Sequence, residues 1–467
     1  MSEMSVAIIG GGIGGLLTAY RLPQNVDRPL SIRIFEASDR LGGKILTSRF
    51  QAAPIAYEAG AAELYDYSHL GPDPLRELIA SLGLPTRPMA GETVVMADHF
   101  LRTDADFGQA FGDNARTALQ WFTRRGQAEI SPAEYYESDW KEDNQDPLSR
   151  LSFHGLLDQV RDERARRYIE VAVHSDLATE PSRTNAMYGL QNYLMNLPQY
   201  MRLYTIEGGI ERLPRELGKR ISAQVTLNQP VTRVEQSPNE QYRVFSRRNG
   251  DTVTEDFDFV VVALPNYWIP LIEWGGTALS RAMHRHHVHY DYPAHYLRVS
   301  VLFDRAFWRD QINDSYFMLD AFGGCCVYDE SARNDGCHHG ALGWLLAGEA
   351  ALSLSNLGDA MLIDKVLDSL PRSLRHGREH FLEGRVHRWV GAVNGLPGGR
   401  PAHDPDARHL PDPVENPWLF VVGDYLFDST INGVVDSVDT VVEWIAEEID
   451  DADSPPAESL ARAAGSR

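Results

Sequence analysis

The sequence predicts an α/β protein in which a doubly wound, Rossmann-like domain is combined with a mixed-sheet domain and a helical cap. Three observations carry this expectation. Residues 5–15, Ser-Val-Ala-Ile-Ile-Gly-Gly-Gly-Ile-Gly-Gly, set an apolar strand, a glycine turn and the start of a helix in direct succession. A second run, Asp258-Phe-Val-Val-Val-Ala-Leu-Pro265, reads as a strand covered on both faces of a parallel sheet. Between them, residues from about 73 to 200 carry mainly helical periodicity and no phosphate-loop chemistry, as a cap would.

In the opening crossover Val6, Ile8 and Ile9 form the buried strand, and Leu16 to Leu22 form the helix. The Gly-x-Gly-x-x-Gly turn between them aims unsatisfied backbone N–H groups and a helix N-terminus at a pyrophosphate. Gly10 permits the tight turn, Gly12 lets the backbone approach phosphate, and Gly15 lets the helix pack on the sheet; Ile13 and Gly14 complete the turn. The second strand ends at Glu36, followed by Ala37, and the Glu36 carboxylate is placed to accept hydrogen bonds from an adenosine ribose. A dinucleotide site is therefore expected. Next, Arg40, Gly42, Gly43 and Lys44 pair glycines with cations, which suits a second wall around a dianionic pyrophosphate. The small residues Gly60, Ala61 and Ala62, ahead of Glu63, suit a backbone lying against a flat ring system.

Helices are expected over Pro74–Leu82, Ala115–Arg125, Pro132–Trp140, Leu148–Val173 and Ala186–Asn196. Strands follow around Val225–Val234 and Gln241–Arg247, then Tyr296–Asp304 and Ala341–Ala347, with a helix over Ala360–Leu370. A buried strand from Trp418 ends in Gly423-Asp424, and a long helix opens at Asn432-Gly433-Val434. Residues 1–72, 204–265 and 384–450 are expected to assemble the cofactor domain, with 73–203 as the cap and 266–383 as the substrate-domain sheet and helices. Residues 451–467 are polar and small, which reads as a disordered tail.

Bulk composition bounds the function. With 467 residues, two or three domains are expected. A formal charge of -22 argues against nucleic-acid partners and anionic membrane surfaces. It suits either simple solubility or a cationic substrate. The cofactor strand starts at Ser5, leaving no room for a signal peptide, and the longest apolar runs are strand-length, so no stable membrane anchor is expected. Three cysteines, Cys325, Cys326 and Cys337, suit a reducing cytoplasm. With His338 and His339 they match no standard zinc spacing, so no metal is expected and the cysteines read as incidental loop residues. The run His284–His289 reads as a solvated segment.

Taken together, these blocks resemble the flavin-containing amine oxidase superfamily, which includes monoamine oxidases, L-amino acid oxidases, protoporphyrinogen oxidases and carotenoid desaturases. The resemblance implies a doubly wound FAD-binding domain with a mixed-sheet substrate domain and a helical cap. It implies that Gly10, Gly12, Ile13, Gly14, Gly15, Glu36 and Ala37 hold the ADP part of FAD, with Arg40, Gly42, Gly43 and Lys44 at pyrophosphate or flavin. Gly60, Ala61, Ala62 and Glu63 would lie near the isoalloxazine, and Val231 would offer backbone to the adenine. Gly423 and Asp424 would serve the ribityl–phosphate region, Asp424 replacing the usual Glu. Asn432, Gly433 and Val434 would meet the flavin pyrimidine edge, where helix N–H dipoles stabilise negative charge. Some relatives bind FAD through a cysteine near Gly395–Gly399; none stands there, so the FAD is expected to be non-covalent.

The departures from the family pattern bear on chemistry. Counting back ten residues from Trp308, the family's lysine position falls on Arg298, which stays protonated and cannot act as a base. It would orient water, bind an anionic or carbonyl group, or simply pair with an acid such as Asp304. Where L-amino acid oxidases place a carboxylate-binding Arg, this chain carries Glu63, which suits a protonated amine, a helix cap or a pair with Arg298. The family's aromatic pair is missing: Thr430 takes one position, with Trp389, Tyr425 and Phe427 as possible replacements or as core residues. The resulting expectation is hydride removal from a carbon next to nitrogen in an amine or amino-acid-derived substrate. Glu63, Arg298, Trp389, Asn394 and Tyr425 face that substrate, and molecular oxygen or another acceptor takes the electrons. A C–C desaturase of the protoporphyrinogen oxidase or carotenoid type, a redox-neutral flavin mutase and a scaffold with lost catalysis are the alternatives. A homodimer is compatible with all of them.

Overall fold

A computed structural model describes residues 3–137, 146–237, 239, 241–334, 338–397, 408–427 and 429–453. The chain forms two compact units: the described residues of Met1–Gly43, Leu213–Asp291 and His403–Arg467, and those of Lys44–Arg212 and Tyr292–Ala402.

The first unit is built on a five-stranded, fully parallel sheet. Its spatial order is Gln224–Thr226, Leu30–Phe35, Met4–Ile9, Phe259–Val262, Leu419–Val421, which in chain order reads 3-2-1-4-5. That order reverses direction beside the central strand, and such a switch point opens a crevice at the carboxyl ends of the strands. Val6, Ala7, Ile8, Val260, Val261 and Val262 are fully buried, as double-sided coverage requires. The helices Ile13–Asn25 and Ile431–Asp453 pack against each other within this unit. A second sheet contains Asp251–Phe257, Tyr242–Arg248, Val231–Gln236 and Glu273–Trp274.

The second unit carries a seven-stranded mixed sheet, in the order Phe381–Asn394, Pro293–Phe303, Gly340–Ala347, Cys325–Asp329, Tyr316–Leu319, Val94–Met96, His99–Leu101. Its neighbours are antiparallel except for Tyr316–Leu319 against Val94–Met96. The helices Asp113–Glu129, Glu163–Leu177 and Ala186–Leu194 share one apolar core in this unit. Among the described residues, no helix is long and apolar enough to cross a membrane.

Several expectations are corrected. The single strand Val225–Val234 is two, Gln224–Thr226 and Val231–Gln236, lying in different sheets; Asn228, at φ 54°, turns the chain between them. The single helix Leu148–Val173 is three, Pro147–Arg150, Phe153–Leu157 and Glu163–Leu177, because Ser152 and Asp162 cap new helix starts with their side chains. The cap region also contributes strands, two of which join the seven-stranded sheet. His284–His289 lies on the helix Thr277–His289, and His286 is buried rather than solvated. Cys325 and Cys326 sit buried on a strand rather than in a loop, while Cys337 lies outside the described residues.

The unit boundaries also part from the expected domains. Residues 44–72 and the strand Phe381–Asn394 belong to the second unit, the latter because it pairs along Pro293–Phe303. Residues 266–291 belong to the first, where Leu279 and Met283 enter its core. The last helix continues to Asp453, and the expected tail beyond it lies outside the described residues.

Candidate active site

In the first unit the glycine turn forms a cradle whose parts have separate steric reasons. A Cβ on Gly15 would lie 2.0 Å from the Gly10 carbonyl oxygen, and one on Gly10 would lie 2.5 Å from that of Ala263, so neither position accepts a side chain. A Cβ on Gly12 would meet only the Gly43 Cα, at 3.9 Å, so open space lies before it. The helix Ile13–Asn25 has no side-chain cap and no acid in its first turn, which leaves its N-terminal amides to an anion. The second glycine turn packs directly on the first: Gly42 N–H donates to the Gly11 carbonyl at 2.9 Å, and Gly42 and Gly43 take φ of 107° and 55°.

Glu36 is fixed as a ribose ligand must be. Its Oε2 accepts from the Gly11 N–H at 2.7 Å, and its Oε1 from the Ser38 N–H at 2.8 Å and hydroxyl at 2.7 Å. A carboxylate has about four acceptor sites, so capacity for sugar hydroxyls is left. The main chain of Glu36 bonds to Gln229 N–H, which brings the start of Val231–Gln236 alongside. Arg40 folds back onto the carbonyls of Leu41 and Gly43. These residues fit the ADP part of a flavin dinucleotide: a helix start without a side-chain cap, an open glycine and an oriented acid.

At the other glycine-containing helix start, Thr430 Oγ1 already accepts from Gly433 N–H at 3.0 Å, and Val434 N–H bonds to the Thr430 carbonyl at 3.2 Å. Gly433 and Val434 are therefore less free as flavin donors than expected. Gly423 N–H donates to Ser437 Oγ at 3.1 Å, and Asp424 is buried. Tyr425 corrects the expectation that it faces substrate. Its side chain lies in the first unit's apolar core, its hydroxyl 2.9 Å from His286 Nε2, with Tyr290 packed edge-on.

In the second unit, the segment from Lys44 to Glu63 is held backbone to backbone. Gly60 is obligatory there, because a Cβ would lie 2.0 Å from the Lys44 carbonyl oxygen. Ala61 N–H donates to that same carbonyl. The Lys44 ammonium donates to the Ala392 carbonyl at 2.7 Å, a structural tie rather than a free cation. Trp389 Nε1–H donates to the Ala59 carbonyl at 2.6 Å, which brings Trp389 to the segment carrying Glu58 and Glu63. Asn394 ends that strand, buried, opposite Pro293.

Four buried charges sit next to this segment. Arg298 donates to Glu330 Oε1 at 2.9 Å, Arg333 lies 3.4 Å from both Glu330 and Glu58, and Glu58, Arg298 and Glu330 are deeply buried while Arg333 keeps a small exposed edge. Arg298 thus pairs with Glu330 and not with Asp304, which engages His380 and Arg305. Glu58 also accepts from Ile210 N–H and the Thr47 hydroxyl. Burial nonetheless dominates Glu58 and pushes its carboxyl up to about 7, against the lowering by Arg333. Both guanidiniums lie over the Tyr328 ring, at 4.9 and 5.9 Å from its centroid.

The Tyr328 hydroxyl donates to Glu63 Oε2 at 2.9 Å. Glu63 is desolvated, which raises its carboxyl, while Tyr328, Arg298 and Arg333 lower it less. Tyr328, Glu330, Arg333 and Asp176 escaped the sequence reading. Glu330 and Arg333 had one visible signal, a pair of charges three residues apart after an apolar strand. Arg298, the partner of Glu330, lies 32 residues away on another strand and Glu58, the partner of Arg333, lies 275 away, so no local pattern named them.

Residues 13–442 match the family model described as Flavin containing amine oxidoreductase. The chain is 39% identical over 90 residues to coproporphyrinogen III oxidase of Mycobacterium tuberculosis (strain ATCC 25618 / H37Rv), a match covering 19% of each chain. It is 26% identical over 251 residues to the flavin-containing amine oxidase A of Canis lupus familiaris, covering 50% of this chain and 45% of that one. The matches therefore span about a fifth to under half of these relatives. Among solved structures, cyclohexylamine oxidase from Brevibacterium oxydans IH-35A superposes with a TM-score of 0.74 at 19% identity, over 96% of this chain and 100% of that one.

Proposed function

The chain belongs to the flavin-containing amine oxidoreductase family, and we propose that it uses non-covalent FAD to oxidise a carbon–nitrogen bond of a small amine or amino-acid-derived substrate. When bound, the flavin supplies a hydride acceptor at N5. Every other task falls to the protein. Glu63 holds the substrate ammonium and, with its carboxyl raised by burial, takes on Oε1 or Oε2 the proton an amine must lose before hydride can leave. Tyr328 orients Glu63, and Arg298 and Arg333 hold the Tyr328 ring in place. Arg298, locked to Glu330, serves as a fixed cation and not as a base. Trp389 and Asn394 border the substrate, and molecular oxygen is the proposed acceptor.

One observation carries this reading. Glu63 is desolvated and accepts a tyrosine hydroxyl, yet among the described residues no cation lies within ion-pair distance of it. The test is anaerobic addition of amines to the yellow holoenzyme. Loss of the visible flavin band with amines, and not with a porphyrinogen, is the expected result. The similarity to coproporphyrinogen III oxidase favours a second reading, C–C dehydrogenation of a porphyrinogen. Bleaching by the porphyrinogen alone would establish that reading instead.

A further inference from the structure

The short helical turn Asn266–Leu271 and the helix Thr277–His289 form a surface of the first unit that the proposed oxidation does not use. Ile269 and Ile272 enter the core, and the turn's other large side chains face solvent: Tyr267, Trp268 and Leu271 are 40%, 45% and 65% exposed. On the helix, Leu279, Ala282, Met283 and His286 face inward, which leaves Arg281, His284, Arg285 and Val288 on the outer face. Two reciprocal contacts tie the elements together. Asn266 Nδ2–H donates to the His287 carbonyl at 3.1 Å, and His287 Nδ1 lies 3.2 Å from the Asn266 carbonyl. Tyr267 and Val288 each adjoin that clamp in the chain, so the rings of Tyr267 and Trp268, with centroids 5.2 Å apart, and the end of the helix form one patch. Trp274 Nε1–H donates to the Ile269 carbonyl at 2.9 Å, which fixes the backbone presenting it.

The patch runs against the rest of the chain in charge. The formal charge of the whole is -22, yet residues 266–290 hold one acid, Glu273, which Arg233 already pairs at 2.9 Å. Among the described residues, no hydrogen bond or ion pair engages Arg281, His284 or Arg285. Arg281 and Arg285 stand one turn apart, where like charges repel, and an external anion relieves that repulsion. An exposed apolar patch rimmed by charge marks an interaction site. An anionic bilayer satisfies both parts of it: aliphatic side chains enter the acyl boundary, Tyr and Trp rings settle at headgroup level, and guanidiniums meet phosphate. A nucleic acid offers phosphates but no apolar phase for Leu271. The remote acidic surface opposes an anionic bilayer only weakly at physiological salt, where charges are screened beyond about 8 Å, while cations touching headgroups keep their attraction.

We propose that this patch seats the protein, peripherally and reversibly, on anionic phospholipid surfaces, with Trp268 and Leu271 in the acyl boundary and Arg281 and Arg285 on the headgroups. The proposal goes beyond the amine-oxidation reading and does not depend on it.

The test is co-sedimentation of the full-length holoenzyme, at about 0.15 M salt, with vesicles of phosphatidylcholine alone and of phosphatidylcholine and phosphatidylglycerol in equal parts. Wild type should bind the mixed vesicles at least about tenfold more tightly, as two arginines near an anionic surface provide. The double variant Arg281→Gln, Arg285→Gln should lose that preference, and Trp268→Ser with Leu271→Ser should weaken binding to the mixed vesicles by about tenfold or more. All four side chains are exposed, so the variants should fold, and unchanged melting temperature and flavin content check this. Mixed vesicles with brominated acyl chains should quench part of the wild-type tryptophan fluorescence, and Trp268→Phe should remove that part. Wild type that binds neither vesicle, or both equally, overturns the proposal, as do variants that bind like wild type. Binding to polyglutamate but not to vesicles, lost with the two arginines, assigns the patch to an acidic protein and overturns the membrane assignment. Flavin bleaching by amines in solution is untouched by any of these outcomes, so the two readings fail separately.

Discussion

At the scale of single residues, burial sets the chemistry. Glu58 is 1% exposed and carries its proton to about 7, although Arg333, Ile210 N–H and the Thr47 hydroxyl favour its ionised form. The folded chain therefore keeps a proton that the unfolded chain releases near 4.5. Relative stability is lost as pH rises between those values and is constant above them, by on the order of 3 kcal/mol in total. Glu58→Gln cannot ionise and should gain on wild type across that window. The melting temperature difference, variant minus wild type, is expected to rise between about pH 5 and about pH 7.5; a difference that ignores pH would mean Glu58 stays ionised. Arg298 shows the complementary case. Its strand position was legible, but its partner Glu330 was not, because the two are 32 residues apart and meet only across strand neighbours.

At the scale of elements, the glycine turn and its helix were legible because everything that defines them lies within one crossover. The structure adds which glycine does what. Gly15→Ala would drive a Cβ into the Gly10 carbonyl and should lower the melting temperature and yield of folded protein. Gly12→Ala meets no atom closer than 3.9 Å, so it should fold near-normally yet purify with little flavin, since its methyl enters the space left for phosphate. Absorbance ratio and thermal melts distinguish the two, and equal flavin loss without destabilisation in both would break the steric assignment. Capping decided what periodicity did not. Ser152 and Asp162 restart helices inside a stretch whose apolar spacing looks continuous. Apolar spacing cannot signal such breaks, because caps act through single hydrogen bonds.

For the whole molecule, the formal charge of -22 becomes meaningful beside the desolvated carboxylate of Glu63. Such a field concentrates cations near the protein. The kcat/KM for a cationic amine should fall as ionic strength is raised from about 0.01 M to about 0.15 M, where the Debye length shortens from about 30 Å to about 8 Å. Rates that do not move with salt would confine the acidic surface to a solubility role.

The sequence by itself determined the parallel crossover, its glycine turn, the Glu36 acid and membership of a flavin family, because each is written within a few consecutive residues. Tertiary structure alone decided that Tyr425 packs into a core, that Arg298 locks to Glu330, and that Arg333 reaches Glu58 across 275 residues. The physical reason is that desolvation and ion pairing depend on distance in space. A carboxylate reads the same in sequence whether an arginine stands at ion-pair distance from it, as at Glu58, or, among the described residues, none does, as at Glu63.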